Sequence, residues 1–272
     1  MLSPWLRVCA PLAAAMAAAC GGSRSDERAP GGAAGAPAET SASRSNSAGS
    51  SVAGPTGVDV FGAAHAGQYH LGPVDFAETE WHNACAPAGG YRKELRDVTG
   101  LGGEYLAGVA TQLADGGGVC DGCIVIETGQ GKSIVARVVT YGTEQDPGDI
   151  DVSPSVYAAI HAGEYPRSMT WRFARCPDMG TLRYEYQTAS SQWWTSLWVR
   201  NPAVPIMSVE VKSPSHTAFT ALARATDGTL TDPGGFGLGK FTLRITGMDG
   251  QVLTEDFDGF AAGALVTSGV QF

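Results

Sequence analysis

The chain has 272 residues, 43% of them hydrophobic, and a formal net charge of -9 at pH 7. This acidic balance argues against nucleic acid or an anionic lipid surface as the partner, because both repel a negatively charged protein. No internal apolar run approaches the length of a membrane span, so we expect any membrane attachment at the amino terminus. The length suits one or two compact domains.

Residues 1–20 have the features of an export signal. Arg7 is the single early charge, an apolar run follows, and the segment ends in Ala17-Ala18-Ala19-Cys20. This ending resembles a bacterial lipobox, in which the cysteine becomes the acylated first residue of the mature protein. The alternative is an ordinary A-x-A cleavage that releases a protein without lipid. We expect acylation at Cys20, and a secreted or cell-surface protein that touches the membrane only through this lipid.

Residues 21–57 follow the signal and consist almost entirely of small and polar residues. Such a segment has too little apolar surface to offset the entropy that ordering would cost. We predict a disordered linker with an end-to-end reach on the order of 35 Å. A lipid at one end of this linker would keep the folded part near a membrane but free to search.

Four cysteines remain after the signal: Cys85, Cys120, Cys123 and Cys176. An even number in an exported chain predicts two disulfides, with three pairings open. The spacing of Cys120 and Cys123 also occurs in thioredoxin-type redox sites, but those need a helix where this chain continues with strand-like residues. A four-cysteine zinc site is less common outside the cytoplasm, and we predict no metal or organic cofactor.

Residues 58–178 show short strand patterns separated by glycine-rich turns, which predict a small, mostly β, barrel-like domain. Residues 133–140 and 169–173 alternate in polarity as strands do. The helical spacing of Leu106, Val109, Ala110 and Leu113 instead predicts one amphipathic helix, which is ended by Asp115-Gly116-Gly117-Gly118.

The chemical centre of this region is predicted around Asp151. Asp149 and Asp151 point to one side of a short strand, and Ser153 with Pro154 predicts a helix start directly after it. That helix should end near Gly163. Glu144, Asp146 and Asp149 lie close in sequence, and crowding of their like charges would favour protonation of one of them. The alternatives are a solvated acidic turn and a calcium loop, although the EF-hand spacing is missing.

Residues 179–272 read as evenly spaced strands with hairpin turns, which predict a β-sandwich. Residues 190–201 hold three of the six tryptophans of the chain: Trp193, Trp194 and Trp198. In a strand, Trp194 and Trp198 would share one face and Trp193 the other, so at least one indole should face solvent. An exposed indole is typical of a surface that stacks on sugars. The alternative is an ordinary strand with one core tryptophan.

Taken together, these segments resemble the expansins, specifically the bacterial expansin-like proteins. The resemblance covers residues 58–272 and rests mainly on residues 148–160, 169–177 and 180–207, with Trp193-Trp194 followed by Val199-Arg200-Asn201-Pro202. It implies a mostly β fold, with a six-stranded double-psi β-barrel at 58–178 and an immunoglobulin-like, cellulose-binding β-sandwich at 179–272. The barrel is related to glycoside hydrolase family 45.

The resemblance also implies site residues and disulfides. Asp151 matches the essential groove acid of the family, with Glu144 and Asp149 as helpers, and Trp193 and Trp194 match stacking aromatics. A third stacking aromatic of the family is missing, and we expect Trp198 to replace it. Tyr141 and His70 fall near groove positions that have changed. The implied disulfides are Cys85–Cys120 and Cys123–Cys176.

These observations predict an expansin-like monomer that binds and loosens plant-type cell-wall β-1,4-glucan, or cellulose, without hydrolysing it. Inverting hydrolysis needs a second carboxylate about 6.5–9.5 Å away, which expansins lack. The first alternative is a family 45-like endoglucanase or a peptidoglycan lytic transglycosylase with Asp151 as the acid. The second is a catalytically silent carbohydrate-binding envelope protein.

Overall fold

The computed structural model of the chain describes residues 52–53, 57–76, 84–96, 105–113, 117–143, 146–177 and 179–272. The predicted signal, Cys20, most of the predicted linker and Glu144 lie outside the described residues. Within the described residues, no helix combines the length and the apolar character that crossing a membrane requires.

The first half of the described chain is a closed β-barrel. Its elements are β1 (Val52–Ala53), β2 (Asp59–Leu71), α1 (Lys93–Arg96), β3 (Leu106–Ala110), a 3-10 turn (Thr111–Leu113), β4 (Cys123–Thr128), β5 (Ser133–Thr143), β6 (Ile150–Val152), α2 (Pro154–Ile160) and β7 (Ser168–Ala174). The strand order is β1-β2-β6-β3-β5-β4-β7, and β2 also pairs with β7, which closes the six strands β2 to β7 into a barrel. The short strand β1 lies inside the segment 21–57 that was expected to be a linker.

The closure depends on a bend in β2. Gly62 has a φ of +69°, and the register between β2 and β7 shifts between Phe61 and His65. A glycine adopts this backbone conformation without the strain that a side chain would cause. Strand β2 can therefore pair with β6 at its carboxyl end and with β7 along most of its length.

The segment Leu106–Leu113 is a strand and a 3-10 turn, so the prediction of an amphipathic helix there is wrong. All five residues of β3 are buried, because the strand lies between β6 and β5 inside the barrel wall. A strand buried on both faces reads as a continuous apolar run, and such a run also satisfies the helical spacing.

The predicted strand-to-helix junction is confirmed. Ser153 caps α2 and accepts a hydrogen bond from the Val156 backbone N–H, Pro154 is the first helical residue, and the helix ends at Ile160. Gly163 follows with a φ of +91°. The junction is rigid because the Ser153 hydroxyl also accepts from Leu106 N at 3.2 Å, which ties the helix to β3.

The second half is an antiparallel β-sandwich, as predicted. Its strands are β8 (Arg183–Tyr186), β9 (Thr195–Arg200), β10 (Ile206–Ser213), β11 (His216–Ala221), β12 (Ala223–Arg224), β13 (Leu230–Asp232), β14 (Phe241–Gly247), β15 (Val252–Phe257) and β16 (Leu265–Thr267). One sheet has the order β11-β10-β14-β15 and the other β12-β13-β9-β8-β16. Their facing apolar side chains, among them Leu197, Val211 and Leu243, form one core.

Both disulfides form as the resemblance implied. Cys85 bonds to Cys120 across 35 residues, and Cys123 bonds to Cys176 across 53 residues. Both are in the barrel, and in the chain-entropy model loops of this size stabilise the fold by about 4 kcal/mol each. Two disulfides also indicate that the chain folds in an oxidising, extracytoplasmic compartment.

A buried charge network joins the barrel to the sandwich. Asp121 of the barrel accepts hydrogen bonds from Arg137 of the barrel and from Arg200 of the sandwich, the latter at 2.5 Å. Arg200 also donates to Glu185 at 2.9 Å, and Arg92 of the barrel donates to the other oxygen of Glu185 at 2.8 Å. Burial alone would raise the pKa of Asp121, but the two arginines outweigh it and hold that pKa below its usual value.

We predict that Asp121→Asn costs about 3 kcal/mol or more of the free energy of unfolding, because it leaves two buried guanidinium groups with too little negative charge. Asparagine tolerates the φ of +64° at this position, so the backbone contributes little to the loss. Urea unfolding followed by circular dichroism measures the effect. The control is Asp258→Asn, which removes an exposed ion pair with Lys240; equal midpoints for the two variants would contradict the prediction.

Candidate functional site

Asp151 lies in a row of residues that crosses four strands of the barrel. The strand register places His70 of β2 beside Asp151, Asp151 beside Gly108 of β3, and Gly108 beside Thr140 of β5. Paired residues point to the same face of a sheet, so this row lies on the face opposite to the buried Tyr69 and Ile150. The predicted acid therefore lies on the outer wall of the barrel, next to His70.

Glycines allow neighbouring segments of the chain to pack closely around Asp151. A Cβ atom at Gly72 would lie 2.7 Å from the Asp151 Cβ, so only glycine lets the chain pass the carboxyl group this closely. A Cβ at Gly108 would meet the Thr140 methyl at 2.7 Å. Because Asp151 also lies only two residues before Ser153, the N-cap of α2, both its position and its surroundings are fixed by the backbone.

The environment of Asp151 favours its protonated form. Partial burial raises its pKa, nearby His70 opposes this, and the Asp149 carboxylate adds to the rise. A carboxyl group with a raised pKa can donate a hydrogen bond over a wider pH range than an ordinary aspartate.

Asp149 is held by its neighbours. One carboxylate oxygen lies 3.0 Å from His70 Nε2, and the other accepts a hydrogen bond from the Gln68 backbone N–H at 2.7 Å. The side chain is buried, in contrast to the half-exposed Asp151. As the structure stands, Asp149 is a partner of His70 rather than a carboxylate that faces open solvent.

Tyr141 is placed at the boundary between the domains. Its hydroxyl donates to the carbonyl oxygen of Thr226, which lies in the turn between β12 and β13. The side chain also packs against the barrel core. The structure thus places His70 and Asp149 beside Asp151, whereas the hydroxyl of Tyr141 forms a hydrogen bond between the two domains.

Trp193 lies at the tip of a tight hairpin, two residues before β9 begins, and not within a strand as the sequence analysis of residues 190–201 assumed. Ser191 and Trp194 exchange two backbone hydrogen bonds, and β9 starts only at Thr195. Trp193 is 71% exposed, whereas Trp194 is partly buried. The expectation of an indole that faces solvent is confirmed for Trp193, but the two neighbouring rings do not share one exposed platform.

The expectation that Trp198 extends the exposed surface is wrong. Its side chain is 4% exposed, its indole N–H donates to the Asp227 carbonyl at 2.9 Å, and the Arg200 guanidinium lies 4.8 Å from its ring centre. The physical reason is that this part of β9 lies at the domain boundary, where the barrel loop 86–90 approaches it.

Sequence analysis missed the glycine-rich loop that supports the hairpin tip. Gly237 N donates to the Gln192 carbonyl at 3.0 Å. A Cβ at Gly235 would lie 2.2 Å from the same oxygen, and the φ of Gly235 is +71°. Both the close contact and the backbone conformation therefore require glycine at this position. Leu238 and Phe260 join Trp193 around a cavity of about 370 Å³. The only sequence signal was the run Gly234-Gly235-Phe236-Gly237, which reads as an ordinary loop.

Known proteins whose sequences are similar to this chain are named as expansins or expansin-like proteins. No protein-family model matches the chain. "Expansin-like protein 5" of Dictyostelium discoideum is 22% identical over 185 residues, covering 66% of this chain and 77% of the relative. "Expansin-YoaJ" of Bacillus subtilis (strain 168) is 25% identical over 131 residues, covering 48% of this chain and about half, 55%, of the relative. The chain is expansin-like.

Solved structures show the fold of this expansin-like chain. An aspartate-to-asparagine mutant of the Clavibacter michiganensis expansin, in complex with cellohexaose, has a TM-score of 0.61 at 17% identity, covering 77% of this chain and 98% of that chain. The same expansin without ligand has a TM-score of 0.60 at 16% identity, with the same shares of both chains covered. The predicted fold, a double-psi barrel followed by a second β domain, is confirmed. These relatives are expansins, which supports the prediction that the chain is not a hydrolase.

We predict that Asp151 destabilises the folded state at neutral pH. Because its folded pKa is raised, stability falls as the pH rises from the unfolded value near 3.8 through the folded pKa. Asp151→Asn should therefore be more resistant to urea than the parent at pH 7, and the difference should vanish below about pH 3.8. The prediction would be contradicted if the parent were more stable than Asp151→Asn at pH 7 and this difference in stability disappeared in acid, because that result indicates a lowered pKa of Asp151.

Proposed function

We propose that this expansin-like protein binds β-1,4-glucan, such as the cellulose of plant-type cell walls, and loosens contacts between glucan chains without cutting them. The observation that carries the proposal is Trp193, a highly exposed indole on a hairpin tip that the glycine loop holds in place. An exposed indole on a turn whose backbone is held in place suits stacking on the apolar face of a pyranose ring, because the backbone needs no rearrangement on binding.

Stacking by itself gives little affinity here. If each exposed indole loses about 100 Å² to a sugar, the gain is about 2.5 kcal/mol per ring. With Trp198 buried and Trp194 partly buried, Trp193 and Trp194 together supply at most about 5 kcal/mol, against an association cost of at least about 4 kcal/mol. A net of about 1 kcal/mol is far weaker than millimolar binding. Further contacts must therefore contribute, and the barrel groove around Asp151 is the natural place for them.

The groove supports loosening rather than cleavage. A protonated Asp151 carboxyl can donate a hydrogen bond to a glucan hydroxyl and so replace a bond between two glucan chains. Hydrolysis with inversion would need a second carboxylate to activate water. Asp149, the nearest carboxylate in sequence, is engaged by His70 and the Gln68 backbone.

Hydrolysis by a family 45-like mechanism is the second candidate, and one observation favours it. Asp149 and Asp151 are two residues apart on an extended segment, which places their Cα atoms about 6.6 Å apart on one side. Both carboxyl groups also lie near His70, which is 3.0 Å from Asp149 and opposes the rise in the pKa of Asp151; an inverting pair needs its two carboxyl groups about 6.5–9.5 Å apart. The candidate requires His70 to release Asp149 when a sugar binds.

We propose further that the protein works outside the cytoplasm, as a monomer. The two disulfides support an oxidising location, and the lipobox-like ending at Cys20 supports a lipid anchor on the cell envelope. Peptidoglycan is the alternative polymer, because an envelope protein would meet it first.

We predict that the mature chain is retained on microcrystalline cellulose and releases no reducing sugar. Trp193→Ala should weaken retention at least about tenfold, since it removes the main stacking surface. The matched control is Tyr165→Ala, which removes an exposed aromatic from the barrel and should leave retention unchanged. Pull-down on cellulose and on purified peptidoglycan, with a reducing-sugar assay of the supernatant, measures these effects.

Two outcomes would contradict the proposed function. Sugar release that disappears in Asp151→Asn would assign hydrolysis, with Asp151 as the acid. Retention on peptidoglycan but not on cellulose would assign an envelope polymer instead.

A further inference from the structure

We infer that the cleft beside Trp193 holds a single, neutral glucan chain on more than one side, so that the sandwich prefers isolated chains to the flat surface of crystalline cellulose. This inference rests on the proposed function and specifies the form of its substrate. It depends on Leu238 and Phe260, which line the cleft together with Trp193.

The cleft is built from three separate segments of the chain. The hairpin tip contributes Trp193, the glycine loop contributes Leu238, and the segment before β16 contributes Phe260. Leu238 is 76% exposed and is, with Trp193, one of the two most exposed large hydrophobic residues that the structure describes in the sandwich. The volume of about 370 Å³ lies within the range of about 300–1,000 Å³ that is usual for small-ligand sites.

The chemistry of the lining fits an uncharged sugar. In the described part of the chain the lining residues are uncharged, and its polar side chains are those of Ser191 and Gln192. The nearby Lys240 is paired with the exposed Asp258 at 2.7 Å, so the two opposite charges offset each other. A chain of neutral pyranose rings complements this surface better than a polyuronate, which would find no net positive charge there.

The cleft is already formed without a ligand. The Ser191–Trp194 hydrogen bonds close the hairpin, and Gly237 N holds it to the loop. The missing Cβ at Gly235 allows the two backbones to touch. Because the walls need no rearrangement, binding loses little of its free energy to ordering of the protein.

The shape of the cleft decides between the two forms of cellulose. On a crystalline surface each glucan chain has neighbours along both edges, so a protein reaches only its upper face. On such a surface Trp193 can still touch the upper face of a chain, but the exposed side chain of Leu238 and the ring of Phe260, which line the cleft beside it, gain little contact with the edges of that chain. An isolated chain has free edges and can enter between the ring and the leucine.

The test compares soluble cellohexaose, acid-swollen cellulose and microcrystalline cellulose as probes for the mature chain. Leu238→Ala should weaken binding to cellohexaose and retention on acid-swollen cellulose by about fivefold. It should leave retention on microcrystalline cellulose unchanged. The matched control is Val252→Ala, which trims a 54% exposed aliphatic residue outside the cleft and should match the parent on all three probes.

The outcomes separate this inference from the proposed function. If Leu238→Ala matches Val252→Ala on cellohexaose while Trp193→Ala loses binding, the cleft inference is wrong and the proposed function stands. If Trp193→Ala binds all three probes as the parent does, the proposed function fails as well. Sedimentation velocity tests whether a second copy of the chain occupies the cleft instead. If the parent is a dimer and Leu238→Ala is a monomer, the cleft is a dimer contact and the inference is wrong.

Discussion

The carboxylate of Asp121 lies between two buried arginines, one from each domain, and the arrangement of the molecule depends on this contact. Arg137 belongs to β5 of the barrel and Arg200 ends β9 of the sandwich. Tyr91 adds its ring, with the two guanidinium groups 5.0 and 4.7 Å from its centre. Burying charges is costly, so such a network contributes less to stability than to a single, defined docking of the two domains.

This docking fixes the direction of the strand that leads to the exposed tryptophan. Strand β9 ends at Arg200 in the charge network, and Trp193 precedes it by seven residues, about 23 Å along an extended chain. The domain boundary is also closed by direct backbone contact: a Cβ at Gly117 would lie 2.5 Å from the Ala225 carbonyl oxygen. Asp151 and the cleft at Trp193 are therefore held in one orientation, which under the proposed function would let two weak sites add on one polymer.

The sequence predicted what local chemistry determines. The Ser153-Pro154 start of α2, the barrel and sandwich classes and the exposure of at least one indole all follow from short patterns, and the disulfide pairing followed from the resemblance. The sequence-based predictions failed where tertiary contacts determine the structure. Leu106 to Ala110 has helical spacing but is buried on both sides. Trp198 looks like its exposed neighbour and is covered because it lies near the domain boundary.

The cleft could not be predicted from the sequence for the same reason. Leu238 is a lone apolar residue in a glycine-rich loop, and nothing in its sequence context shows that a hairpin 45 residues earlier rests on that loop. The role of Asp149 was also hidden, because its partner His70 is 79 residues away. Long-range pairs of this kind are set by sheet register, which no local pattern contains.

The most direct test of this account is a nuclear magnetic resonance titration of the mature chain with cellohexaose, observing the indole N–H signals of its tryptophans. The account predicts that the Trp193 signal shifts with ligand concentration, while that of Trp198, which is hydrogen-bonded to the Asp227 carbonyl, stays in place. A shift of the Trp198 signal without one at Trp193 would contradict it, because the sugar would then bind at the domain boundary rather than at the hairpin tip.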